Sequence, residues 1–127
     1  MIKSINTTSF ELLFQYSPIP LWEMDYTELF HYFDSFRKQN IDDLSGYLIH
    51  HPNELDKCFS LCLIKTVNKA VLNLCEEENI ENIYDYTRFF TKNTQHVLAE
   101  KFDHLYHGKD SFYADTEIIS SYGKIKN

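Results

Sequence analysis

Between Pro18 and Phe36 the hydrophobic period of this chain changes, and that change sets the order of its elements. Pro18 and Pro20 push the residues before them toward extended backbone, so a helix arriving from Phe10 must stop there. "LWEMDY" then alternates. Trp22, Met24 and Tyr26 fall on one face, Glu23 and Asp25 on the other, as in a strand with one side buried. At Thr27 the pattern becomes helical, with Thr27 as the expected cap and Leu29, Phe30, Phe33 and Phe36 on one face. A strand so placed makes this an α+β chain.

The remaining residues extend the alternation of types. Residues 1–9 read as a polar lead-in. "TTSFELLFQYSP" reads as a short helix capped by Thr8 or Ser9, with Phe10, Leu13 and Phe14 on its apolar face. "IDDLSGYLIHHP" predicts a short helix capped by Asp42 or Asp43. "HPNELDKCFS" predicts another, with Pro52 in the first turn, where its missing N–H is harmless. "LCLIKTVN" is a β-branched run that reads as a strand ending at Asn68, which then caps the helix "KAVLNLC". "ENIYDYTRFF" is a short helix or turn. "TKNTQHVLAEKFDHLYHG" is a long helix with Leu98, Phe102, Leu105 and Tyr106 in one stripe and Gly108 at its C-terminal cap. "SFYADTEIIS" predicts a strand, "SYGK" a turn, and "KIKN" the start of a hairpin partner.

The totals bound the function. A chain of 127 residues is one domain, long enough to bury a core without disulfides or metal. The net charge of −7 and pI near 5.2 argue against a phosphate-backbone binder, which needs a basic face. The same charge argues against an anionic membrane surface, and no apolar run approaches the length of a membrane span. The start "MIKSINTTSF" is too polar for a signal peptide, so a cytoplasmic location is expected. Three cysteines, an odd number, fit reduced thiols better than a disulfide framework.

Several residues carry candidate chemistry. His96, Glu100, His104 and His107 follow one another along one helix face, a spacing that can ligate Zn²⁺ or Ni²⁺. They lie opposite the Leu98 stripe, where a solvated polar face is the simpler account, and no metal site is expected. Cys58 and Cys62 are four apart but lack a second ligand pair, and Cys75 reads as a small buried apolar residue. His50 and His51 beside Pro52 are a weak signal for haem, which is not expected. Glu23 and Asp25 share a strand face and could couple as an acid/base pair, though such pairs more often only solvate a strand. No nucleophile–base pair and no Gly-rich phosphate loop occurs, so an enzyme is not expected.

Taken in order, "LFQYSPIPLWEMDY", "YLIHHPNEL", "LIKTVNKAVLNL" and "LYHGKDSFYADTEI" resemble the PAS (sensory box) domain. The closest likeness is to the subgroup that precedes histidine kinase or diguanylate cyclase modules in two-component and related signalling. The likeness covers residues 10–127. It implies an antiparallel sheet with helices on one face, a helical insert between the first two strands, and "PLWEMDY" inside the sheet. PAS sheets usually have five strands. Here the last two would begin where the chain ends at Asn127, so the sheet is expected to be truncated or completed by another copy. The loop "EEEN" after Cys75 stands where many relatives have a Gly. No counterpart of the flavin-linking "NCRFL" phrase occurs, so covalent flavin is not expected.

The resemblance implies a sensor that binds a small molecule between sheet and helices and relays to an output kinase or cyclase. Trp22, Met24, Val71, Leu72, Ile83, Phe89 and Phe102 are its candidate pocket residues, with plain core packing as the competing account of each. The alternative is a ligand-free interaction module. It would dimerise through Phe10, Leu13 and Phe14, because exposed apolar patches seldom stay bare.

Overall fold

The helix α1 (Ile2–Tyr16) begins earlier than the sequence reading placed it. Thr8 and Ser9 are inside it rather than at its cap, because no Gly or Pro precedes Pro18 to break the helix. In this computed structural model, residues 2–109, 112, 114 and 116–126 are described, with side chains from Ser9 onward. After the proline turn come β1 (Trp22–Asp25), α2 (Thr27–Lys38), α3 (Leu44–His50), α4 (Pro52–Ser60), β2 (Leu63–Val67) and α5 (Lys69–Cys75). Two single 3-10 turns, Ile80–Asn82 and Tyr86–Phe89, lead to α6 (Lys92–Tyr106) and the short strands β3 (Ile118–Ile119) and β4 (Ile125–Lys126). No helix among the described residues is long and apolar enough to cross a membrane.

The chain is α+β, as its pattern implies, but its strands do not join into one sheet among the described residues. β1 pairs antiparallel with β2, Trp22 opposite Val67 and Asp25 opposite Leu63, with an irregularity between Glu23 and Met24. β3 pairs only with β4, and Phe90 makes an isolated bridge to Ile118. Of "SFYADTEIIS", only Ile118 and Ile119 form a strand, while Ser111, Tyr113 and Asp115 lie outside the described residues. The strand β1 therefore has one partner instead of lying inside a wider sheet. Trp22 and Met24 are accordingly half-buried against the core, not enclosed, while Glu23 is exposed.

Local rules account for most element ends. Asp43 caps α3 by accepting from Gly46 N (3.1 Å), and Thr91 caps α6 by accepting from Thr94 N (3.1 Å). Thr27 does not cap α2. It is the first helical residue, and Asp25 Oδ1 accepts its N–H (2.9 Å). Gly108 ends α6 at φ +77°, as its position predicts. The "EEEN" turn is closed by Glu76, which takes φ +56° without being Gly. Its carboxylate accepts from Ser120 Oγ (2.8 Å) and pairs with Lys126 (3.3 Å), so the strained residue also anchors the β3–β4 hairpin.

The core is a stack of rings and branched chains. Leu29, Phe33 and Phe36 of α2, Leu44 and Leu48 of α3, Phe59 of α4 and Phe102 of α6 are all buried. Phe30, expected on the same face, is 45% exposed, because the buried stripe of α2 follows Leu29–Phe33–Phe36 alone. Arg37 closes the C-terminus of α6 by donating to Tyr106 O (2.8 Å) and lies 4.7 Å over the Tyr106 ring. Asp103 of α6 accepts from Ser45 N (2.9 Å) at the start of α3.

Asn68 ties the two ends of this arrangement together. It is fully buried. Its Oδ1 accepts from Val71 N (3.1 Å), capping α5, and from Leu21 N (3.0 Å). Its Nδ2 donates to Phe14 O (3.0 Å) and Ile19 O (2.8 Å). Both lone pairs and both N–H groups of the amide are thus used.

Asn68→Ala should lower the free energy of unfolding by about 3 kcal/mol in urea titration, since it removes a cap and orphans buried groups. A loss below about 1 kcal/mol would contradict this role. Trp22→Ala should cost about 1–2 kcal/mol in the same titration, less than the about 3–5 kcal/mol of a fully enclosed tryptophan.

Candidate functional site

A cleft of about 330 Å³ opens between β1 and α6. One wall is the strand face of Trp22, Met24 and Tyr26. The opposite wall is Thr94, Leu98, Lys101 and Phe102 of α6, which recur at the i, i+4, i+7 and i+8 positions of one helix face. Phe59, Cys62 and Tyr86 form the floor, and Phe90 with Ile118 closes the far end.

Aromatic packing holds the floor rigid. Phe59 meets Phe102 edge-on with ring centres 5.1 Å apart, and Tyr86 meets Phe90 the same way at 5.6 Å. Trp22 reaches across to Tyr86 at 6.4 Å. The buried Tyr86 hydroxyl donates to Phe59 O (2.7 Å), and burial holds its pKa far above the phenol range. The far end is clamped by Thr94, whose hydroxyl donates to Glu117 O (2.7 Å) and accepts from Glu117 N (3.0 Å). That clamp sets Ile118 against the cleft and aligns it with Phe90.

Among the described lining residues, charge is confined to one rim. Lys101 Nζ donates to Tyr26 Oη (2.8 Å) and sits 5.3 Å from the Tyr26 ring centre. Among the described residues no carboxylate lies within 4.0 Å of this ammonium. The cleft therefore pairs an apolar body with a cationic rim, the general layout of a small-molecule pocket.

The structure divides the sequence-derived pocket residues. Trp22, Met24 and Phe102 line the cleft. Val71, Ile83 and Phe89 are buried in the core behind it, and Leu72 is half-buried on α5. The reason is the placement of α5, which packs on α1 and β3 instead of covering β1. Cys62, Tyr86, Phe90 and Lys101 were missed. Lys101 was readable from its spacing on the Leu98–Phe102 helix, but Tyr86 and Phe90 lie between α5 and α6, where the chain carries no periodic signal.

The other candidates do not converge. His107 Nδ1 lies 2.6 Å from Asp103 Oδ1 and its Nε2 3.5 Å from Asp42, and a hydrogen bond to the Asp103 carbonyl is the main cause of its raised pKa. His104 turns back to Glu100 O (2.9 Å) and packs on Phe112. Among the described residues no group of three or more His, Cys, Asp or Glu could hold a metal ion. His50 and His51 bond back to Gly46 O and Tyr47 O of their own helix, and neither reaches the cleft. Glu23 pairs with Lys65 (3.7 Å), whereas hydrogen bonds from Thr27 lower the Asp25 pKa, so the two carboxylates are not coupled.

The thiols are buried and inert. Cys62 Sγ donates to Cys58 O (3.3 Å). Burial pushes Cys58 up to about 12, and Cys62 and Cys75 up to about 11. No family model, no curated protein and no solved structure matches this chain.

A thiol held protonated by burial is a poor nucleophile. At pH 8 native protein should react with iodoacetamide about 100-fold more slowly than urea-unfolded protein, read by mass spectrometry. The linkage has a definite sign. The folded pKa values are raised, so this stabilisation is complete below the ordinary thiol value of 9.0. It is lost as pH climbs toward 11 and 12, which urea titration across that range will register.

Proposed function

We propose that this chain is a sensory domain of the PAS type, which binds a small molecule in the cleft between β1 and α6 and relays its occupancy through α1. One observation carries the reading. The cleft wall is β1 itself, and the residue that leads into β1, Leu21, shares Asn68 Oδ1 with the cap of α5. The same Asn68 amide holds the last turn of α1 through Phe14 O. An occupant that shifts Trp22 therefore pulls on the helix end. The order of elements supports the family reading, since three helices, α2 to α4, lie between the paired strands β1 and β2. An output kinase or cyclase domain would receive the signal if the natural chain is longer. The test is native mass spectrometry of gently purified protein, which should retain a small molecule. Leu98→Trp fills the cleft and should abolish that retention without loss of helical circular dichroism.

A second reading has its own observation. Phe10 is 70% and Leu13 72% exposed, with Tyr16 beside them, on a helix that touches the rest of the domain chiefly at α5. In this account the chain is a ligand-free module that dimerises by pairing α1 helices. Phe14, expected in the same interface, is half-buried toward the domain, so Phe10 and Leu13 carry the contact. Light scattering should give a dimer mass that Phe10→Glu with Leu13→Glu reduces to the monomer. A monomer at high concentration before mutation removes this reading.

A further inference from the structure

We infer that the cleft selects a small monocarboxylate with an apolar body, its carboxylate seated between the Lys101 ammonium and the Tyr26 hydroxyl. The inference rests on the cleft being a ligand site, and it names the class of ligand.

Several polar groups of the cleft are already engaged. Thr94 exchanges hydrogen bonds with Glu117, the Tyr86 hydroxyl donates to Phe59 O, and the Cys62 thiol donates to Cys58 O. None of these, nor Thr116 and the Trp22 indole, which also line the cleft, brings a charge to it. Lys101 and Tyr26 differ. The ammonium has three N–H donors and gives one to Tyr26 Oη (2.8 Å). Tyr26 Oη, accepting there, keeps its own proton to give away. The rim thus presents donors only, together with a positive charge. An ionised carboxylate is the acceptor-only, oppositely charged partner of that set.

The other walls narrow the class. Trp22, Met24, Leu98 and Phe102 require an apolar body. Lys101 is the only Lys or Arg among the described cleft-lining residues, so a dianionic phosphate or a polyacid would leave charge unmatched against apolar surface. A cationic or amine ligand would meet the ammonium. A volume of about 330 Å³ is at the small end for ligand pockets and suits a short chain or a single ring. Burial raises the Cys62 pKa, and the Tyr86 hydroxyl and then the Lys101 charge draw it partly back, which places that charge within reach of the floor.

The test uses the full chain and calorimetric titration at pH 7.5 with two probes of one length, sodium octanoate and 1-octanol. Octanoate should bind at least about tenfold more tightly. Lys101→Met should bring the two affinities together by weakening octanoate alone, and Lys101→Arg should keep the preference. Equal affinities in the unmodified chain would overturn the carboxylate inference while leaving the cleft as a site. Octanoate binding that survives Leu98→Trp would overturn it by placing the acid elsewhere. If neither probe binds at millimolar concentration and native mass spectrometry finds nothing retained, the inference falls together with the sensory reading.

Discussion

A single buried amide holds this domain in register. Asn68 stands at the junction of β2 and α5, and its side chain satisfies backbone groups from α1, from the proline turn and from α5 at once. Two of those groups have no other partner in their own element: Phe14 O ends a helix and Ile19 O sits between two prolines, while Val71 N also reaches the Asn68 carbonyl (3.1 Å). The backbone of Asn68 adds one more bond, its N–H to Leu21 O (3.1 Å), which prolongs the β1–β2 ladder. A buried amide with all its bonds made is rigid, because every alternative rotamer breaks more than one of them. The position of β1, and so of the cleft wall, follows from this residue.

The cleft exists because large rings meet edge-on. Phe59, Tyr86, Phe90 and Phe102 touch at angles between 54° and 76°, which builds a firm floor but leaves angular space above it. Trp22 bounds that space without filling it. The helix α6 serves both sides of the domain: Phe102 and Ala99 pack inward, and Asp103 and Tyr106 lock onto α3, Arg37 and Ile41. A helix tied down at so many points makes a stable wall.

Periodic elements were legible. The α2 and α6 stripes, the β1 alternation, the acidic cap of α3, the Pro52 start of α4 and the Asn68 cap all follow from local rules that need no neighbours. Burial was less legible. Met24 looks like core from its alternation, yet a two-stranded ladder shields only part of it. Phe30 looks like part of an apolar stripe, yet no element covers it. Thr27 has the residue type of a cap, but the helix starts one residue earlier than that role requires: Tyr26 holds the cap position, and Asp25 takes the first helical N–H, that of Thr27.

What the sequence by itself determined is the succession of helices and strands, the proline stop, the acidic exterior and the reduced thiols. These depend on neighbours along the chain and on totals, which are present in any conformation. Only the tertiary structure decided that α5 lies against α1 and β3, leaving Val71, Ile83 and Phe89 in the core, and that Lys101 meets Tyr26 across the mouth of a cleft. The physical reason is separation. Lys101 and Tyr26 stand 75 positions apart. Their meeting depends on how whole helices pack, and packing is set by the shapes of many side chains together, not by any short run of residues.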